Sequence, residues 1–234
     1  MSAQALPLLP TLESFGLTKT YGPVIALDHV DFAIYPGEVL AVVGDNGAGK
    51  STLIRCLSGA EIPDEGIMQL NGAVVHFRTP REARMGGINA VYQSLKVDAA
   101  LDIASNLYRD REPSHPGPLG KVLQWFETKG MRRSAAATDS KVIILDEPTA
   151  ALGKRESVTV RKLIENLRGR GLPVVVVSHD VTQVFAFADR IHVQHLGKRA
   201  AVITPQTFNM ADVVAIMSGR LAVDEKDQTL GSAR

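Results

Sequence analysis

This sequence of 234 residues lacks several features that would assign its function early. It has a single cysteine, Cys56, which excludes an internal disulfide and is typical of a reducing compartment. No uninterrupted apolar run approaches the roughly 18 residues of a membrane span, and the first residues lack the basic start of a signal peptide. Its 26 basic and 25 acidic residues nearly cancel, which argues against a dedicated nucleic-acid binder. We therefore expect a cytosolic chain that reaches a membrane only through a partner.

The apolar content is sufficient for one folded domain. Hydrophobic residues make up 45% of the chain, an ordinary share for a globular protein. We place this domain at residues 1–222, with residues 1–12 as a loose lead-in. Residues 223–234 are polar, and we expect them to form a frayed tail.

Short apolar runs between helical patterns predict an α/β fold. Residues 39–43, 141–145 and 173–177 are almost entirely apolar, which is typical of strands that are buried on both faces. A helix is expected over 51–58, and a second one at apolar residues spaced three and four apart: Val160, Leu163, Ile164 and Leu167. Buried strands that alternate with helices imply a largely parallel sheet.

Antiparallel strands are predicted near both ends of the chain. Val30, Phe32 and Ile34 alternate with less apolar residues, as in a half-buried strand. Asn71-Gly72 indicates a tight hairpin between its flanking apolar runs, and Gly197-Lys198 indicates a later one. Residues from about 80 to 140 are less regular and contain four prolines, so we expect an inserted helical region there.

The strongest motif is Gly44-Asp45-Asn46-Gly47-Ala48-Gly49-Lys50-Ser51, which fits G-x-x-x-x-G-K-[ST] between a strand and a helix start. Glycines let successive backbone N–H groups curl around phosphates, and the helix N-terminus adds partial positive charge. Lys50 is expected to reach the β- and γ-phosphates, and the Ser51 hydroxyl to bind Mg²⁺. The alternative is a glycine-rich turn that matches the pattern by chance.

A second motif places two carboxylates after a buried strand. Residues 142–145 are apolar, and Asp146 and Glu147 follow them directly. Ligands of open α/β sheets bind at this carboxyl edge. Asp146 would hold Mg²⁺ through water, and Glu147 would act as general base on the attacking water. The alternative is a strand that simply ends in solvent-facing acids.

With these motifs, the chain resembles an ATP-binding cassette (ABC) ATPase, the motor subunit of ATP-driven transporters, from about residue 12 to about residue 221. The resemblance identifies Tyr21, in LTKTYG, as the aromatic residue on which adenine stacks. It identifies Gln93, in AVYQS, as a contact of Mg²⁺ and water, and His179, in VVVVSHD, as a contact of the γ-phosphate. Without the family, the tyrosine would be interpreted as core packing and the histidine as a satisfied polar residue.

The resemblance implies a site for ATP and Mg²⁺. The implied catalytic residues are Glu147, His179 and Gln93, and the implied metal ligands are Ser51, Gln93 and Asp146. The implied nucleotide contacts are Tyr21, Gly44, Asn46, Gly47, Ala48, Gly49, Lys50, Ser51 and Thr52. The implied fold is a P-loop NTPase core with a largely parallel sheet, an N-terminal antiparallel β subdomain and a shortened helical insertion.

Longer segments are similar to one branch of this family. Residues 147–153 (EPTAALG), 77–88 and 190–219 resemble the single-cassette ATPases of bacterial simple-sugar importers, the ribose, fructose and xylose class. Gly153 stands where most of the superfamily has aspartate. Several sugar-type members also lack that aspartate. The resemblance implies transmembrane permease partners, a second cassette in a homodimer or from an intact partner, and a periplasmic sugar-binding protein indirectly. It implies a peripheral location on the inner face of the cell membrane, and no nucleic acid.

One family element is missing from the sequence. The signature, LSGGQ or a variant, opens a helix shortly before the Asp-Glu strand in the family, yet no glycine pair occurs between Gly120 and Asp146. The signature's backbone N–H groups complete the cage around the γ-phosphate, and loss of one such donor can cost roughly 10²–10³ in rate. The residues therefore favour nucleotide binding more strongly than turnover.

Three functional hypotheses follow. The first is the ATPase subunit of a simple-sugar importer, and the second is a nucleotide-binding cassette that docks without productive turnover. A third is a cassette ATPase of translation or DNA repair, which we rank last because the chain has neither two cassettes nor a long coiled-coil insertion.

Overall fold

The computed structural model describes residues 9–91, 140–149 and 154–223. Ten strands are described: β1 Leu12–Tyr21, β2 Val24–Ile34, β3 Val39–Val43, β4 Glu65–Leu70, β5 Ala73–Val75, β6 Ile88–Val91, β7 Val142–Asp146, β8 Val174–Val177, β9 Arg190–His195 and β10 Lys198–Ile203. Five helices are described: α1 Lys50–Leu57, α2 Pro80–Gly86, α3 Lys154–Gly169, α4 Val181–Phe185 and α5 Met210–Met217. Within these ranges, every helix is too short or too polar to cross a membrane.

The central sheet has six strands in the order β10-β9-β3-β8-β7-β6. All neighbours pair in parallel except β10 and β9, which form an antiparallel pair at one edge. Strand β3 is buried along its whole length. Its residues Leu40 and Val42 pack into one hydrophobic cluster, while Ala41 and Val43 pack into another on the opposite face. This alternation explains the unbroken apolar run, because both faces of a parallel strand are covered.

A second sheet is antiparallel and has the strand order β2-β1-β4-β5. Its β4–β5 hairpin turns at Asn71 and Gly72, which have φ of +52° and +76°. Two consecutive residues with positive φ are the signature of the turn that Asn-Gly favours, so this hairpin prediction is confirmed.

Helix α1 lies between the two sheets. Its residues Leu53, Ile54 and Leu57 are fully buried in a cluster that includes residues of β1, β2, β3, β7 and β8. The helix therefore fixes the loop that precedes it against both sheets.

The predicted α/β class, with a largely parallel sheet and a separate antiparallel sheet, is confirmed.

Three local expectations were wrong. The lead-in was drawn too long, because Leu12 is fully buried and starts β1. The late hairpin turns at Leu196-Gly197, both with positive φ, one residue earlier than expected. Residues 88–91 belong to the central sheet as β6, beside β7, although we had assigned them to the helical insertion. Residues 92–139 and 224–234, which hold most of that insertion and of the tail, lie outside the described residues.

Candidate active site

The sheet topology brings the two predicted motifs to one edge. Strand β8 lies between β3 and β7, and its last residue, Val177, pairs with Val42 on one side and Asp146 on the other. The three parallel strands therefore end at the same level. The glycine-rich loop follows β3, Glu147 follows β7, and His179 follows β8 two residues after Val177.

The backbone of the loop needs glycine at two positions. Gly44 and Gly49 both have positive φ, 157° and 100°. A Cβ on Gly44 would overlap the main-chain carbonyl of Gln194 in β9, and one on Gly49 would overlap the carbonyl of Ala26 in β2. The loop is thus held between the two sheets, and the contacts explain why these positions carry no side chain.

The start of helix α1 differs from that of other described helices. Its N-cap, Gly49, offers no side-chain hydrogen bond, and its first turn has no acidic residue. In contrast, α2, α4 and α5 are capped by Thr79, Asp180 and Asn209, each of which accepts a backbone N–H. The first N–H groups of a helix have no acceptor within the helix and carry partial positive charge. The beginning of α1 therefore suits an anion such as a phosphate group.

Lys50 adds a cation at the same place. Its side chain is buried, and its Nζ donates hydrogen bonds to the carbonyl oxygens of Gly44 (2.7 Å) and Asp45 (3.0 Å). Burial lowers the pKa of this ammonium group, and the charges of Glu147, Asp45 and Asp146 oppose that shift. The ammonium group therefore lies across the loop, within electrostatic range of both motif carboxylates.

Glu147 and His179 are in direct side-chain contact at this edge. The Nδ1 atom of His179 lies 2.6 Å from an Oε atom of Glu147, whose side chain is 12% exposed while that of His179 is 63% exposed. Glu147 has φ of +51°, a rare conformation for a residue with a side chain. The N–H of Glu147 donates to the Val177 carbonyl at 3.0 Å, which holds this backbone against β8. Strained backbone of this kind is often found at functional sites.

The residues expected to bind Mg²⁺ are only partly described. Ser51 is exposed at the start of α1, and Asp146 is buried at the end of β7. The described residues contain no cluster of three or more His, Cys, Asp or Glu side chains that could hold a metal ion alone. The hydroxyl of Ser51 and the carboxylate of Asp146 are oxygen donors, the ligand type that Mg²⁺ takes from proteins together with water and substrate phosphates. Gln93 and Gly153 lie outside the described residues.

Tyr21 lies at the tip of the β1–β2 hairpin. It pairs with Val24, and the residue is 42% exposed, which leaves it accessible for stacking on another ring. The Nζ of Lys19 lies 5.7 Å from its ring centroid. The core-packing interpretation of Tyr21 does not fit this exposure.

Gln194 is a contributor to the site that the sequence analysis missed. Its main-chain carbonyl lies against Gly44, and its side-chain amide lies near Gly49. The residue is fully buried in β9, and His192 contacts its Oε1 at 2.9 Å. Because the contact with Gly44 is made by the main chain, no residue type in the sequence could have indicated it.

Comparison with known proteins adds to this geometry. A family model described as ABC transporter matches residues 27–136. The fructose import ATP-binding protein FrcA of Rhizobium meliloti is 44% identical over 245 aligned positions, which include 90% of this chain and 94% of that protein. The xylose/arabinose import ATP-binding protein XylG of Sulfolobus acidocaldarius is 34% identical, with 92% and 98% covered. The ribose import ATP-binding protein RbsA 2 of Escherichia coli O157:H7 is 32% identical over 96% of this chain, which spans only 50% of that protein.

Solved structures are similar at the level of the fold. A nucleotide-free ATP-binding cassette from an ABC transporter matches with a TM-score of 0.69 at 20% identity, covering 89% of this chain and 98% of that one. A dimeric cassette bound to ADP and phosphate matches with a TM-score of 0.63 at 21% identity, covering 84% and 100%.

Proposed function

Since this chain belongs to the ABC transporter ATPase family, we propose that it is the ATP-binding subunit of an ABC-type monosaccharide importer that couples ATP binding and hydrolysis to sugar uptake. The observation that carries the proposal is the shared edge of β3, β8 and β7, where the glycine-rich loop, the Asp146-Glu147 pair and His179 meet. The similarity to import ATP-binding proteins for fructose and xylose supports the transported class.

The loop and the start of α1 would hold the triphosphate. Lys50 now donates to two loop carbonyls, and it would exchange them for phosphate oxygens when nucleotide binds. Hydrogen bonds from an ammonium group to phosphate oxygens are charge-assisted and therefore stronger than those to neutral carbonyls. Tyr21 would stack on the adenine ring, and Gly44, Asn46, Gly47, Ala48, Gly49, Ser51 and Thr52 would complete the nucleotide contacts.

The same site fits a bound Mg²⁺. Ser51 would ligate it directly, Asp146 would hold it through water, and Gln93 would contact it from outside the described residues. When bound, Mg²⁺ neutralises charge on the phosphate oxygens. Ser51 offers a hydroxyl oxygen at the start of α1, and Asp146 offers a carboxylate at the end of β7, two strands from β3. Oxygen donors of this kind are the ligands that Mg²⁺ prefers.

Glu147 would act as the general base in hydrolysis. Its carboxylate would take a proton from the water that attacks the γ-phosphate. In the structure, His179 Nδ1 contacts one oxygen of that carboxylate, so the imidazole would compete with the attacking water for Glu147. The exposed ring of His179 has the freedom to turn toward the γ-phosphate, the contact we propose for it.

The proposed partners follow from the proposed function. We propose that two cassettes act together, as a homodimer or with an intact partner, on transmembrane permease subunits, and that a periplasmic sugar-binding protein supplies the sugar indirectly. The chain would then lie peripherally on the inner face of the cell membrane. Residues 1–222 would act as one ATPase domain.

Steady-state phosphate release, measured together with binding of a fluorescent ATP analogue, tests the proposal. Lys50→Ala is the matched variant, because it removes the only loop cation and leaves the glycines in place. We expect the wild type to bind Mg-ATP and the variant to lose that binding. Equal binding by both proteins would overturn the assignment of the loop.

A second candidate function is a cassette that binds nucleotide but does not turn it over, acting as a docking or regulatory subunit. The missing signature favours it. The alignment with FrcA gives further support: 90% of this chain is about 211 residues, so about 34 of the 245 aligned positions have no counterpart here. Binding without phosphate release would favour this second function over the first. Phosphate release that Lys50→Ala abolishes would instead show that another segment replaces the signature.

A further inference from the structure

The end of strand β1 has an unusual partner. The pairing of β1 with β4 stops at Thr18 and Glu65, three residues before Tyr21. Asp64 precedes Glu65, and its own N–H donates to the Thr18 carbonyl at 2.8 Å. Beyond this point, β4 no longer supplies a backbone acceptor to β1.

The side chain of Asp64 continues the pairing where the backbone stops. One carboxylate oxygen accepts the backbone N–H of Thr20 at 2.7 Å and the Thr20 hydroxyl at 2.8 Å. The other oxygen accepts from Lys19 Nζ, also at 2.8 Å. Three donors from two consecutive residues of β1 therefore converge on one carboxylate.

These contacts keep the Asp64 carboxylate ionised. The hydrogen bonds from Lys19 and Thr20 lower its pKa to about 2. The ion pair alone would contribute little, because water screens a pair that is exposed to solvent. The backbone bond matters more, because it fixes the residue that directly precedes Tyr21.

Tyr21 is otherwise held through strand β2, which pairs with β1 as far as the hairpin turn. Tyr21 pairs with Val24 across the hairpin turn, and the residue is 42% exposed. Lys19, held by Asp64, places its ammonium group 5.7 Å from the ring centroid. Both residues before Tyr21 are thus held by Asp64, one through its backbone and one through its side chain.

We propose that Asp64 is a positioning residue for the nucleotide base: through Thr20, its carboxylate holds the tip of β1 so that the Tyr21 ring is presented for stacking. This inference rests on the proposed function, since it needs a base stacked on Tyr21. Asp64 itself touches no substrate. Its effect should therefore depend on whether the ligand carries a base.

The experiment compares two ligands, Mg-ATP and inorganic Mg-tripolyphosphate, by isothermal titration calorimetry. The phosphate chain is common to both, but only ATP has a base. Loss of a base–aromatic stack costs about 5- to 150-fold in affinity, which is the range expected for Tyr21→Ala. For Asp64→Ala we expect ATP binding to weaken by about 3- to 10-fold, with tripolyphosphate binding changed by less than about 2-fold.

Two further variants separate positioning from a general structural effect. Asp64→Asn keeps an oxygen for Thr20 and should restore ATP affinity to within about 2-fold of the wild type. Asp31→Ala is the matched control, because Asp31 also accepts a β1 backbone N–H, that of Gly16, at 2.8 Å, pairs with a basic residue and is similarly exposed. It should leave both affinities unchanged.

The outcomes are distinguishable. Equal weakening of both ligands by Asp64→Ala, no weakening at all, or failure of Asp64→Asn to restore affinity would overturn the inference. A Tyr21→Ala variant that binds ATP as tightly as the wild type would also overturn it, because no base would then stack on Tyr21. If Lys50→Ala changes the affinity for neither ligand, the proposed function itself is wrong.

Discussion

Replacing Gly49 with alanine tests whether the phosphate loop is held in place by the antiparallel sheet. Gly49 has φ of +100°, and its Cβ would overlap the Ala26 carbonyl oxygen and lie 3.3 Å from a methyl carbon of Leu27. Gly47, two residues earlier in the same loop, is a matched control. It also has positive φ, +80°, but a Cβ there would meet no atom within 4 Å.

The two substitutions share one cost and differ in another. Both place alanine in a left-handed conformation, which costs about 1–2 kcal/mol. Only Gly49→Ala adds overlap with backbone, and inserting carbon into a packed region typically costs about 1–3 kcal/mol more. We therefore expect Gly47→Ala to lower the free energy of unfolding by about 1–2 kcal/mol and Gly49→Ala by about 2–5 kcal/mol.

Urea denaturation of both variants measures these free energies, and binding of fluorescent ATP measures the consequence for the loop. We expect Gly49→Ala to lose ATP binding at protein concentrations where it is still folded, because the loop must move away from β2. Equal destabilisation by the two substitutions would refute the reasoning, since it would show that the space around Gly49 has no energetic effect.

Three further predictions concern the proposed general base Glu147, a buried histidine and a buried ion pair. Glu147→Gln should abolish phosphate release while fluorescent ATP still binds; an unchanged rate would rule out Glu147 as the general base. His192 is fully buried, and this burial lowers its pKa to about 4. The histidine therefore stays neutral in the folded protein, whereas the same histidine in the unfolded chain takes up a proton below about pH 6.5. Stability should therefore fall by about 2 kcal/mol from pH 7 to pH 5 and level off below pH 4, and urea denaturation of His192→Val should show a correspondingly shallower slope. Glu38→Ala should cost about 3–5 kcal/mol by the same assay, because it leaves the largely buried guanidinium group of Arg190 without its carboxylate; a loss below 1 kcal/mol would contradict that burial argument.

Periodicity and turn residues were sufficient to predict most of the fold. The strand over 39–43 matches β3 residue for residue, because complete burial on both faces leaves an unbroken apolar run. Strand β1 was not predicted, because it mixes polar residues with Gly16 and has several register shifts against β2. A strand with such irregularities loses the alternation on which a prediction depends.

The candidate site also contains residues that could be predicted from sequence and residues that could not. The motifs at Lys50, Glu147 and His179 could be predicted because their residue types carry the chemistry, and the topology does place them at one edge. Their roles stay predictions until they are tested. Gln194 and Asp64 could not be found from sequence, since one acts through its main-chain carbonyl and the other through contacts with residues 44 and 45 positions away.

The missing cap of helix α1 has a thermodynamic consequence. Under the proposed function, a phosphate group completes the first turn of this helix from outside the chain, in the place that Thr79 takes in α2. Ligand that binds only the folded state adds about 2.7 kcal/mol of stability when its concentration is 100 times its dissociation constant. The melting temperature of this protein is then a function of nucleotide concentration as well as of sequence, and protein purified without nucleotide represents the lower end of its stability range.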